Sequence, residues 1–204
     1  MEVLELKPIK DKKIIAFITK KQRKDFPNND LTVLKQFIEE KDIKYITLDF
    51  DINIKNFKDS NFAKTLDNLN VPYYQVDIPE YVLGYLYEEI LEKENLFKEL
   101  VEEYKNLEDK KSYKGLSLKN WISLVKSEIE EKENMLSLKI RPQWIVKKML
   151  SIAKSFTDTQ VSFIHFVQED ICEDICSEIT SQLRDLNVKV VQYTKKHNIK
   201  HIIL

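Results

Sequence analysis

Asp49 and Asp51 flank a single phenylalanine, and a third aspartate, Asp77, follows with Glu80 close behind. If the chain turns after Phe50, the first two carboxylates face one point in space. Asp77 or Glu80 then completes an oxygen-rich set of the kind Mg²⁺ or Mn²⁺ prefers. An ion held there polarises a phosphoryl group and generates a hydroxide, while Arg141 grips the phosphate through its planar fork. On this reading Asp49, Asp51 and Asp77 are both the catalytic and the metal-ligating residues of a phosphoester hydrolase or nucleotide-processing enzyme. The competing reading is plain: carboxylates are common at strand ends and helix starts, where they accept hydrogen bonds from backbone N–H groups.

Two weaker groupings carry other chemistry. Lys20, Lys21, Arg23 and Lys24 crowd one polar stretch. Lys20 and Arg23, with Arg141 and Lys147, outline an anion-binding patch that would suit a nucleotide or a nucleic-acid end. Aromatic residues are not interleaved with these lysines as single-strand binding requires, so a solvated basic surface competes with that reading. His165, Cys172 and Cys176 are the transition-metal ligand types that fall near one another in the chain. Their spacing lacks the usual zinc-knuckle pattern and a fourth ligand, and buried thiols with a structural histidine explain them as well.

The glycine count excludes more than any motif supports. The chain has two glycines in 204 residues, Gly84 and Gly115. A dinucleotide-binding Gly-x-Gly-x-x-Gly turn, a phosphate-binding P-loop and a Gly-x-Ser-x-Gly nucleophile elbow all need more. Formal net charge is -1, with 33% charged and 43% hydrophobic residues, which suits a globular chain and gives no general attraction to nucleic acid or anionic lipid. The longest apolar runs are of strand length, so no membrane span is expected. Nor does the N-terminus carry a basic region and apolar block of the signal-peptide kind. Cys172 and Cys176, four apart, read as reduced thiols of a cytoplasmic protein rather than a disulfide.

The elements that would position these residues alternate. Lys13–Thr19, Ile43–Phe50 and Val71–Ile78 are apolar runs of strand length. Between them lie helical patterns carrying Leu31, Leu34, Phe37 and Ile38, then Phe62, Leu66 and Leu69. Val3–Leu6 is a further short strand candidate. The rhythm returns with Val161–Val167, a helix started by Glu169 or Asp170 and stopped at Asn187, the strand Val188–Tyr193 and a last short run from Ile199. Strand and helix in alternation imply a parallel sheet. The expected fold is therefore three-layer α/β, a mostly parallel sheet of about five strands drawn from both terminal segments. Residues 1–78 and 158–204 would form one discontinuous Rossmann-like domain, with 79–157 inserted as a long helical hairpin and a connecting helix.

Within the insertion, Leu86, Ile90, Phe97, Leu100 and Leu107 recur at helical spacing, as do Leu118, Ile122, Val125, Ile129 and Leu136. Lys93 and Lys132 interrupt the two stripes, so the seam is not a uniform coiled coil. Ser117 is the expected cap of the second helix, and Pro142 the expected stop or kink, with Arg141 biased away from helical angles. Two roles compete for the stripes: packing inside the hairpin, or meeting a partner. The second makes Leu86, Ile90, Phe97, Leu100, Ile122 and Ile129 interface residues. It points to a non-enzymatic scaffold or regulatory protein that assembles through the hairpin with a partner or with itself as a homodimer, and needs no cofactor. Trp121 and Trp144 adjoin the apolar stripes and read as packing anchors, or as interface residues where exposed.

Overall fold

The computed structural model describes residues 6–20, 31–50, 52–53, 55–167 and 173–192. They fall into two compact units: one holds the chain up to Asp77 and from Arg141 onward, the other is Ile78–Ile140.

The first unit is a five-stranded parallel sheet covered on both faces. Its strands are β1 (Lys13–Lys20), β2 (Ile43–Leu48), β3 (Tyr73–Gln75), β4 (Gln160–Val167) and β5 (Lys189–Gln192), in the order β3-β2-β4-β1-β5. Both termini supply strands, and β4 from the late segment lies between β1 and β2 from the early one. The central strands are near-continuous apolar runs because neither of their faces meets water. One face packs on α1 (Leu31–Glu40), α2 (Lys55–Lys58) and α3 (Asn61–Asp67). There Phe17, Ile46, Leu48, Ile164 and Phe166 of the strands meet Leu34, Ile38, Phe57, Ala63 and Leu66 of the helices. The opposite face meets α6 (Arg141–Ser155) and α7 (Glu173–Asp185): the Tyr45 hydroxyl donates to the Met149 carbonyl at 2.9 Å, and Gln192 reaches the Cys176 sulfur. Tyr45 is also stacked between Phe156 and Phe163.

Two helices of this unit stop on residues in the left-handed region. Asp42 has φ 50° and Asn187 has φ 62°. At Asn187 the N–H of Val188 donates to the Leu183 carbonyl and that of Asn187 to Arg184, the Schellman pattern that satisfies the last carbonyls. The asparagine stop expected at 187 is thus present. The third strand is shorter than its apolar run, and α2 adds a helical turn that buries Phe57 where only a polar connection was expected. The early strand candidate at 3–5, the basic stretch 21–30, Asp51, residues 168–172 and the last run from 199 lie outside the described residues. Leu6 itself is not in a strand.

The second unit is an antiparallel helical hairpin, α4 (Glu80–Asn106) and α5 (Tyr113–Met135), closed by a π-helical turn at Leu136–Ile140. Leu100, Leu118 and Val125 form its buried centre, flanked by Leu96, Phe97, Tyr104, Ile122 and Ile129. One expectation changes here. The cap of α5 is Ser112, whose hydroxyl accepts from the Gly115 N–H at 3.1 Å, and Ser117 lies inside the helix. Gly115 sits in the first turn of α5, where a Cβ would stand 2.6 Å from the Lys110 carbonyl carbon and closer still to its oxygen. Glycine lets the loop fold back against the helix start.

A new helix, α6, begins at Arg141 directly after the π-helical turn, with Pro142 in its first turn; Arg141 is itself helical. Proline has no N–H to give the carbonyl one turn before it. The wider i→i+5 turn directly upstream is a known way of absorbing such a gap. The further helix, α6, belongs with the sheet unit and not with the hairpin.

Candidate functional site

In open parallel sheets, ligands sit beyond the carboxyl ends of the strands. Asp49 follows β2 there. It is fully buried, and its N–H donates to the Phe166 carbonyl at 3.4 Å. Asp77 follows β3, and Arg141 opens α6. Arg141 Nε donates to Asp77 Oδ1 at 2.8 Å and Nη2 to Asp77 Oδ2 at 2.6 Å, with a longer contact from Nη2 to the Asp49 carbonyl at 3.4 Å. The guanidinium therefore ties the ends of β2 and β3 to the first turn of α6. Asp49 enters this clamp through its backbone oxygen.

Asp51, one of the three carboxylates of the expected metal set, lies outside the described residues. Both Asp77 oxygens already accept from Arg141, and the arginine assigned to a phosphate is engaged by that carboxylate. Among the described residues, no group of three His, Cys, Asp or Glu side chains is placed to hold a metal ion. Of the anion-binding set, only the side chains of Arg141 and Lys147 are described. Lys147 is exposed, the side chain of Lys20 at the end of β1 lies outside the description, and so does Arg23. Lys148 covers the ring of Trp144 at 5.4 Å.

His165 lies on β4, level with Thr47 of β2 and Ile18 of β1, on the sheet face that meets α6 and α7. It is fully buried. Its Nδ1 is 3.1 Å from the Thr47 hydroxyl, which lies 3.3 Å from the Ile164 carbonyl. A hydroxyl has one proton; given to the carbonyl, it leaves the oxygen to accept from Nδ1–H. Burial holds the imidazole neutral and pushes its pKa down to about 3, against a smaller upward pull from Thr47. Cys176 is buried on α7 next to Gln192, while Cys172 lies outside the described residues.

The hairpin presents a different kind of surface. Of the residues assigned to an interface from the sequence, Phe97, Leu100, Ile122 and Ile129 pack against one another in the hairpin's own core. Ile90 is buried and Leu86 half-buried. The stripe-breaking lysines are accommodated by pairing across the two helices: Lys93 with Glu128, and Lys132 with Glu89. Lys114 meets Glu103 at 2.7 Å near the other end.

What the hairpin shows to solvent is a second set of large apolar side chains. On α4 these are Tyr81, Tyr85, Tyr87 and Leu91; on α5 they are Tyr113, Leu116, Trp121, Leu124 and Met135. The sheet unit exposes only Val33 and Tyr74 among its described residues. Tyr81 is 75% and Tyr85 77% exposed, and they flank Gly84 to form, with Glu88 and Leu91, a shallow cavity of about 340 Å³. Apart from Trp121, sequence reasoning passed over these residues because it followed the stronger of two apolar faces. The overlooked signal was a second series offset by half a turn, Tyr113, Leu116, Asn120 and Leu124, that contains no charged residue.

No helix among the described residues is long and apolar enough to cross a membrane. Compared with protein-family models, with curated proteins and with solved structures, the chain finds no match.

Proposed function

We propose that this protein is a non-enzymatic scaffold or regulatory module that assembles through the outward surface of its helical hairpin. The observation that carries the reading is the distribution of exposed apolar side chains among the described residues, concentrated on α4 and α5 and sparse on the sheet unit. Large apolar side chains left exposed together on one element mark interaction sites, and tyrosine and tryptophan are the residues that most often anchor them. The Arg141–Asp77 clamp supports the same reading from the other side, since the best-placed strand-end carboxylate serves to join elements.

Site-specific photo-crosslinking tests this. A photoreactive residue at Tyr85 or at Leu124, in full-length protein in the cells that make it, should capture a protein. The same probe at Val33, exposed on the sheet unit, should not. Crosslinks from Val33 with none from the hairpin positions would contradict the reading.

A further inference from the structure

The hairpin is built on a thin core. Its buried apolar side chains are Ile78, Ile90, Leu100, Leu118, Val125 and Leu136, and only Leu100, Leu118 and Val125 meet in its centre. The described part of the sheet unit buries several times as many. Helices in proteins owe most of their stability to the packing of an apolar face, so α4 and α5 have little to hold them.

Two further features lower that stability. Gly84 lies inside α4, its φ is not positive, and a Cβ there would meet nothing within 4 Å. Neither backbone geometry nor close packing asks for glycine, and in a helix interior it is costly relative to alanine. Lys93 and Lys132 occupy positions on the two apolar stripes. Their ion pairs with Glu128 and Glu89 are partly exposed and contribute little.

The chain leaves the sheet unit after Asp77 and re-enters it at Arg141. Both residues belong to the sheet unit, and the Arg141 guanidinium joins them through hydrogen bonds of 2.8 and 2.6 Å. The two ends of the excursion are therefore held by a contact that uses no hairpin residue. Opening the hairpin leaves that contact in place, and loop-closure entropy rises only slowly with loop length.

We infer that the hairpin is an order–disorder element. α4 and α5 unfold together while the five-stranded sheet stays folded, and Arg141–Asp77 is the clasp that keeps the sheet unit closed when they do. Segments with few buried apolar contacts open at free energies below that of global unfolding. Any molecule that binds only the helical form then orders the hairpin and draws its affinity down by the fraction that is open. The device belongs to the free chain and stands apart from the assembly reading.

Hydrogen exchange followed by mass spectrometry on dilute full-length protein tests the inference. Amides in the middle turns of α4 and α5, corrected for intrinsic rates, should exchange about tenfold or more faster than those of β1 and β4. Leu118→Ala should speed hairpin exchange by about tenfold or more and leave β1 and β4 unchanged. Gly84→Ala should slow hairpin exchange by about two- to fivefold, again with β1 and β4 unchanged. Arg141→Lys should do the reverse, speeding exchange in β1 and β4 and not in α4 and α5. Hairpin amides as slow as those of β4, or a Leu118→Ala protein in which β1 and β4 speed up with the hairpin, would overturn it. So would unchanged hairpin exchange in Gly84→Ala. If Leu118→Ala does not fold, exchange of wild type in low urea decides: a weaker urea dependence for hairpin amides than for β4 supports separate opening, and an equal one overturns it.

Discussion

Arg141 and Asp77 are joined by two hydrogen bonds, and the same guanidinium reaches the backbone oxygen of Asp49. One fork thereby holds the carboxyl ends of two strands to the start of a helix. The side chains are 21% and 12% exposed, so solvent screens the pair only in part. Arg141→Lys keeps the charge and loses the paired geometry. It should cost about 1–3 kcal/mol in urea unfolding, the range for hydrogen bonds to charged groups. Because both Asp77 oxygens are engaged, Mg²⁺ or Mn²⁺ should leave the wild-type melting temperature unchanged. A rise with metal concentration would point to binding by the native state.

His165 gives the native protein an acid sensitivity of defined sign. In the unfolded chain the imidazole takes a proton near pH 6.5; in the fold it stays neutral down to about pH 3. The unfolded state therefore binds the extra proton first. Stability attributable to this residue is intact above pH 6.5 and falls as pH drops through the window from 6.5 to 3. At pH 5 the loss should reach about 2 kcal/mol. Urea unfolding at pH 7 and pH 5 should show that loss in wild type and not in His165→Gln. In an NMR titration the His165 ring resonances should stay flat across the same interval.

The two glycines should respond oppositely to the same substitution. Gly115→Ala drives a Cβ into the Lys110 backbone and should destabilise the protein by about 1–3 kcal/mol, as overpacking does. Gly84→Ala enters open space and should stabilise α4 by up to about 1 kcal/mol through helix propensity. Thermal unfolding of the two variants at low protein concentration checks both signs.

Lys93 and Glu128 should behave as a coupled pair. Reversing either alone should cost about 0.5–1 kcal/mol, the scale of partly exposed ion pairs. Reversing both should recover most of that, and the effect should shrink with added salt.

Much of the architecture was readable because apolar runs and helical stripes have periods that burial enforces. β1, β2 and β4 follow their apolar runs closely, and Asn187 ends α7 as its tolerance of positive φ allows. The strand order was not readable, since nothing local to Val161–Val167 says that it pairs with both Lys13–Lys20 and Ile43–Leu48. Capping by Ser112 rather than Ser117 goes with a local turn, Asp109 to Ser112, that helical periodicity does not report. Arg141, read as a phosphate ligand, spends its fork on Asp77 because the chain after β3 returns to the sheet at α6. On the hairpin, the stripe that looked like an interface was consumed by the hairpin's own core. Lys93 and Lys132, which seemed to spoil it, each find a glutamate on the other helix.

Hydroxyl-radical footprinting tests the working surface most directly. The exposed rings of Tyr81, Tyr85, Tyr113 and Trp121 report on the hairpin, and Tyr74, 39% exposed on the sheet unit, serves as the internal reference. The account predicts that the hairpin rings lose reactivity as the protein passes from dilute to associated, with Tyr74 unchanged. Association that protects Tyr74 while the four hairpin rings stay fully reactive would contradict it.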